Sequence, residues 1–224
     1  MVEFTKSPRV TIVDHGLGNL FSVKHACNKV GIDAEITNSK KEISYSDAVI
    51  LPGVGAFGDA MQTLRRLDLI ETLHEFALSK PFMGICLGMQ LLMSESPEFG
   101  CQEGLGIIKG KTIRFDNPTD DNGKILKVPH VGWNRVCQIH DQKGEDTLLK
   151  GLDSNEFMYF AHSFYVKPDN SDVVLSVSGY GNVEFCSSLR SKNIFACQFH
   201  PERSGEKGLL IYRNLLTLVK ENNK

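Results

Sequence analysis

An α/β fold built on a mostly parallel sheet is the class this sequence predicts. Three observations carry the expectation. Short apolar, β-rich runs alternate with stretches of helical periodicity over residues 9–94. Glycine-bearing turns break the chain after several of these runs. From residue 107 to 199 the apolar runs become short, strand-like and separated by turn residues, a pattern of sheet pairs or hairpins.

The elements follow in order. Residues 9–14 (RVTIVD) read as a buried strand that ends at His15-Gly16-Leu17-Gly18-Asn19. Leu20, Val23, Ala26, Cys27 and Val30 then recur at helical steps, and Gly31 is the stop. Strands are expected at 33–37 and 48–51, the second broken by Pro52-Gly53-Val54-Gly55. Helix in two pieces is expected over 56–78, a fourth strand at 81–85 and a helix over 86–94. The last strand, 194–199, runs into His200-Pro201-Glu202. An amphipathic helix over 207–220 follows, with Leu209, Tyr212, Leu216 and Val219 on one face. Asp116-Asn117-Pro118 and Asn122-Gly123 mark turns between them.

Composition narrows the function. The 224 residues fit a single domain, 1–224, with room for a large insertion. Twenty-five basic against 27 acidic side chains leave a net charge of −2, which argues against a general nucleic-acid or membrane-surface binder. No apolar run is long enough to span a bilayer, and residues 1–8 lack the apolar core of a signal peptide. The six cysteines form no Cys-x-x-Cys pair and stand at no zinc spacing with histidine, so no metal is expected. Free thiols in a reducing cytoplasm are the simplest reading. Cys27, Cys101, Cys137, Cys186 and Cys197 are expected as packing thiols. His25 and His74 are expected at the surface, and His130 and His140 show no ligand spacing.

Cys86 is the thiol that needs a different explanation. Gly84-Ile85-Cys86-Leu87-Gly88 stands where a strand opens into a helix. A nucleophile on such a sharp turn crowds the residues two before and two after it, so only very small ones fit. The sulfur then projects clear of the sheet at a helix N-terminus, and the Leu87 amide can face an oxyanion. Alone, the pentapeptide is equally an ordinary glycine-rich turn around a buried thiol. His200 and Glu202 supply the complement: an imidazole to move the proton and a carboxylate to orient it. Alone, they are a strand-end histidine and a surface turn. Gly53-Val54-Gly55, also after a strand, could aim a second amide at the oxyanion or be a plain βα turn. All three lie at strand C-termini, where parallel-sheet enzymes bind ligands.

With these pieces in place the chain resembles the class I, triad-type glutamine amidotransferases. The resemblance rests on Gly-Ile-Cys86-Leu-Gly-Met-Gln-Leu-Leu and Gln-Phe-His200-Pro-Glu202. Finer marks are Asp14-His-Gly-Leu-Gly-Asn19, Pro52-Gly-Val-Gly-Ala-Phe57, Pro129-His-Val-Gly-Trp133-Asn134 and Tyr159-Phe-Ala-His162-Ser163, which are similar to the glutaminase subunits of imidazole glycerol phosphate synthase. The resemblance implies a mostly parallel central sheet flanked by helices, with a smaller antiparallel sheet added. It implies hydrolysis of L-glutamine through a Cys86 thioester, with His200 as base and acid and Glu202 orienting it. It implies oxyanion donors at Leu87 and Gly53–Val54–Gly55. Gln90 and Glu98 would hold the amino-acid end of glutamine, and backbone at His162, Ser163 and Phe164 would meet its carboxylate. No cofactor is implied. A separate cyclase subunit with a (β/α)8 barrel is, docking near Asn19, Trp133, Asn134, Tyr159 and Arg203. Activity would be low alone and rise when that partner carries its ligand.

The chain also departs from the family pattern. His15 and Phe164 stand where tyrosine is frequent, Arg203 where lysine is usual, and the stretch 114–127 is longer than expected. His15 and the longer stretch fit a paralogue that feeds ammonia to a surface-sugar enzyme as readily as the histidine-pathway enzyme. A cysteine hydrolase of another specificity is the remaining alternative.

Overall fold

A computed structural model of the chain describes residues 8–139 and 147–222. His140 and the first seven residues, considered above, lie outside that range. The first half alternates as expected: β1 (Val10–Val13), α1 (Leu20–Lys29), β2 (Ala34–Thr37), α2 (Lys40–Tyr45), β3 (Ala48–Gly53), α3 (Phe57–Arg66), α4 (Ile70–Ser79), β4 (Phe82–Cys86) and α5 (Leu87–Leu91). Then come β5 (Glu95–Ser96), β6 (Gln102–Glu103), β7 (Gly110–Arg114), β8 (His130–Gln138), β9 (Glu156–His162), β10 (Phe164–Pro168), β11 (Val174–Tyr180), β12 (Val183–Ser191), β13 (Ile194–Cys197) and the closing helix α6 (Gly205–Asn222).

Five strands form the parallel centre in the order β2-β1-β3-β4-β13. An antiparallel extension runs from β13 through β12 and β10 to β7, and a branch passes from β12 through β11 and β8 to β9. Burial on both faces explains why the central strands read as unbroken apolar runs. Along β3, Ile50 joins the layer of α1 and α6, with Val23, Cys27, Ile211 and Leu215. Its neighbours Val49 and Leu51 join the opposite layer of α3 and α4, with Phe57, Met61, Leu73 and Phe76.

Three local expectations change. The helix over 86–94 stops at Leu91, because the 104–108 loop captures the carbonyls that would continue it. Leu105 N–H bonds Leu91 O, Gly106 N–H bonds Met93 O and Ile108 N–H bonds Leu92 O. α2 is an addition; it buries only Ile43, too little for a periodic signal. Its Ser39-x-x-Glu42 start was readable, and the Ser39 hydroxyl accepts from Glu42 N–H at 3.4 Å. The 114–127 stretch folds back on itself: Thr119 pairs Ile125, and the Asp120 carboxylate accepts from Asn122 and Lys124 N–H. It anchors Phe115, fully buried, amid His130, His162, Tyr180 and Phe185.

Candidate active site

Cys86 ends β4 with φ +53°, the left-handed region that costs a non-glycine residue energy. Of the flanking glycines, Gly88 is sterically required and Gly84 sits in a tight fit. A Cβ on Gly88 would stand 1.7 Å from the Leu51 carbonyl oxygen, and one on Gly84 would stand 3.1 Å from the Gly88 carbonyl. β3 runs beside β4, with Gly53 in register with Cys86. α5 is five residues long, so its dipole is that of little more than one turn and stabilisation of a thiolate there falls to individual groups.

His200 follows β13, the strand next to β4. Its segment is clamped by β9. His200 N–H bonds Tyr159 O at 2.8 Å, Ser204 Oγ donates to His200 O at 2.7 Å, and Tyr159 N–H bonds Ser204 Oγ at 3.0 Å. His200 Nδ1 lies 2.8 Å from Glu202 Oε1, with both side chains buried. Burial alone would lower the imidazole pKa. The charge and proximity of Cys86, then the hydrogen bond and charge of Glu202, outweigh it and push the pKa up to about 10. The sulfur makes no well-aligned hydrogen bond to the ring, whose Nε2 is buried without a partner. Such contacts commonly tighten only when substrate is bound.

A cavity of about 190 Å³ opens over the sulfur, lined by Val54, Gly55, Leu87, Gln90, Glu98, Pro129 and residues 161–164. Gly53 stays inside β3 and does not line it. Gln90 is buried. Both hydrogens of its Nε2 are engaged, to Phe164 O at 2.8 Å and Gln198 Oε1 at 3.1 Å. Only its carbonyl oxygen remains for a ligand. Glu98 is half-buried and accepts from Phe57 N–H at 2.6 Å, so it also holds the first turn of α3.

Residues 11–217 match the family model of glutamine amidotransferase class-I. The chain belongs to that family. Among similar proteins, the imidazole glycerol phosphate synthase subunit HisH of Syntrophotalea carbinolica is 43% identical over 206 residues, 92% of this chain and 98% of the relative. The HisH subunit of Sulfurimonas denitrificans is 46% identical over 206 residues, 92% and 96% of the two chains. PurLQS from Thermotoga maritima shares the fold with a TM-score of 0.70 at 20% identity, covering 95% of this chain and 99% of that one.

On this class-I amidotransferase the residues expected at a partner surface divide. Trp133 is 57% exposed and meets the Tyr159 ring edge-on, centroids 6.2 Å apart. The Arg203 guanidinium lies 4.3 Å over the same tyrosine. Asn19 is exposed and caps α1 through Ser22 N–H. Asn134 differs: it turns inward, donating to Gly179 O at 2.7 Å and lying 3.3 Å from His130 Nε2.

Other residues of the amidotransferase depart from expectation. Cys27, Cys186 and Cys197 are buried packing thiols, whereas Cys101 is exposed and Cys137 half-buried, 3.0 Å from Asn155 Oδ1. His74 is half-buried and bonded to Leu105 O at 2.6 Å, while His25 is exposed. Three site neighbours escaped the sequence reading: Gln198, whose amide reaches the sulfur; His130, 3.1 Å from His162; and His15, buried and bonded to Pro52 O at 2.7 Å. Gln198 stood in the quoted Gln-Phe-His-Pro-Glu run, but nothing local says which way it points. No group of metal-ligating side chains occurs among the described residues. Nor does any described helix have the length and apolarity to cross a membrane.

Proposed function

We propose that this chain, acting as one domain over 1–224, is the glutaminase subunit of imidazole glycerol phosphate synthase in histidine biosynthesis. It hydrolyses L-glutamine and passes the ammonia to a cyclase subunit with a (β/α)8 barrel in a cytoplasmic heterodimer. The observation that carries the reading is Cys86, strained at the floor of a cavity of about 190 Å³ beside the His200–Glu202 pair. Identity above 40% to HisH subunits supports the choice of pathway.

The chemistry follows from these groups. Thiolate sulfur attacks the carboxamide carbon, and the oxyanion is met by amides of Leu87 and the Val54–Gly55 segment. His200, held protonated, gives its Nε2 proton to the departing nitrogen, and the C–N bond breaks to release ammonia. Water then attacks the thioester carbon while His200 takes its proton. The C–S bond breaks, glutamate leaves and the thiolate–imidazolium pair returns. The engaged Gln90 amide leaves its carbonyl as an acceptor for the substrate ammonium, alongside Glu98. Backbone at His162, Ser163 and Phe164 faces the carboxylate end. Ammonia released into neutral water would mostly protonate, which is why a sheltered path to a partner is required. The surface of Trp133, Tyr159, Arg203 and Asn19 is where we dock that partner.

Cys86→Ala in the complex tests the reading. Glutamine-dependent synthesis should vanish while synthesis from added ammonia persists. Loss of both would make the thiol structural, and retained glutamine dependence would remove it from the chemistry.

A further inference from the structure

We propose that Gln198 is a further catalytic residue: its side-chain amide donates a hydrogen bond to the Cys86 sulfur and stabilises the thiolate, with Gln90 holding that amide in orientation. The proposal rests on reading Cys86 as the nucleophile.

Gln198 precedes Phe199 and His200 at the end of β13 and is fully buried. Its Nε2 lies 3.6 Å from Cys86 Sγ, and its Oε1 lies 3.1 Å from Gln90 Nε2. Which end of each amide is nitrogen follows from their partners. The Phe164 carbonyl only accepts, so the Gln90 atom facing it at 2.8 Å is nitrogen. The second hydrogen of that nitrogen points to Gln198, so the Gln198 atom there is oxygen. Its nitrogen is therefore aimed at the sulfur. A flipped Gln198 would set nitrogen against nitrogen and oxygen against sulfur, leaving buried donors unsatisfied.

The arrangement is anchored beyond Gln90. His162 Nδ1 lies 2.8 Å from the same Phe164 carbonyl, so that nitrogen carries the hydrogen and Nε2 is the acceptor. His130 Nδ1 then donates to His162 Nε2 at 3.1 Å, and Asn134 faces His130 Nε2. The run of donors is directional from Asn134 to the Phe164 carbonyl, and Gln90 ties that carbonyl to Gln198. Glu98 shares the cavity over the sulfur. His200 lies on one side, with Glu202 behind it. On β13 the Cys197 thiol is kept protonated by burial and by the negative charge of Glu202 and Cys86. His162 is neutral, its pKa lowered to about 3 by burial. Gln198 is thus the side-chain amide that reaches the sulfur from the face built by β13 and α5.

The test is the pH dependence of Cys86 alkylation by iodoacetamide in the full chain, read at that cysteine by peptide mass spectrometry. Gln198→Met keeps the volume and removes the donor. Its alkylation midpoint should move up by about one pH unit or more, the effect of a lost hydrogen bond to a charged group. Gln198→Glu keeps the acceptor for Gln90 but sets a carboxylate oxygen against the sulfur, and its midpoint should rise further. With the cyclase partner, kcat for glutamine at neutral pH should fall about tenfold in Gln198→Met with little change in KM, and the deficit should shrink as pH rises. Unmoved or lowered midpoints in folded variants overturn the proposal and leave Gln198 a packing residue. If Gln198→Met fails to fold, Gln198→Leu, which also lacks the donor, decides by the same criterion. A wild-type complex unable to hydrolyse glutamine would instead defeat the proposed function, while the alkylation profiles would still report on Gln198.

Discussion

The strain at Cys86 and the pairing of His200 with Glu202 set the behaviour of individual side chains. A left-handed backbone at a β-carbon-bearing residue persists only where neighbours enforce it, and here β3, Gly84 and Gly88 do so. Glu202 serves His200 in two ways. It fixes which ring nitrogen faces the sulfur, and with Cys86 it raises the pKa to about 10. Glu202→Gln should therefore lower kcat for glutamine by about a hundredfold or more, by analogy with loss of the orienting carboxylate in a serine-protease triad. Removing an anion that raises the imidazole pKa should also move the alkaline limb of the kcat–pH profile to lower pH. An unchanged profile with wild-type kcat would leave Glu202 without that role. These two groups were legible from sequence because they are two residues apart on a turn that Pro201 restricts.

Elements are held by backbone fits that single atoms can spoil. Gly88 lets α5 pass directly against the end of β3, and its missing Cβ is replaced by the Leu51 carbonyl. Gly88→Ala should destabilise the chain by at least about 2 kcal/mol, because the obstacle is backbone and cannot rotate away. Denaturant unfolding measures this, and a near-wild-type midpoint would contradict the packing. At the start of α3, Ala56 offers no side-chain cap, and Glu98 accepts from Phe57 N–H. Glu98→Ala should cost about 1 kcal/mol of stability, as loss of an N-terminal acceptor does, besides raising KM for glutamine. Equal KM with lowered stability would restrict Glu98 to capping. Strands β1 to β4 and helices α1, α3 and α4 were readable because each alternation of apolar runs repeats locally. The early stop of α5 was not, since the loop that captures its carbonyls comes from residues 104–108.

At the scale of the whole molecule, the buried His130–His162 pair makes stability depend on pH. Burial lowers their pKa values from 6.5 to about 4 and about 3. Below about pH 6.5 the unfolded chain binds protons that the folded chain refuses, so stability must fall as pH drops from about 6.5 toward 4. His200 acts in another window. Its raised pKa contributes stability that is complete below 6.5 and lost as pH rises through about 10, so it does not offset the acid loss. Melting temperatures between pH 6.5 and 4.5 should decline, and His130→Gln should flatten the decline. A slope identical to wild type would place the titrating protons elsewhere. The pair joins β8, which carries the exposed Trp133, to the Phe164 carbonyl beside the cavity, so the outward strand and the cavity share one polar connection.

Sequence alone determined most of the element types, the parallel half, and the candidate trio of Cys86, His200 and Glu202. Each depends on neighbours a few residues away: periodicity, small residues around a sharp turn, two groups flanking a proline. Tertiary structure alone decided that Gln90 is buried with its amide committed, that Gln198 faces the sulfur, that Asn134 turns inward and that two histidines share a hydrogen bond. Those facts join positions separated by 32 to 112 residues. A buried polar group takes its orientation from whichever donor or acceptor the fold brings alongside it, and no local pattern records that partner.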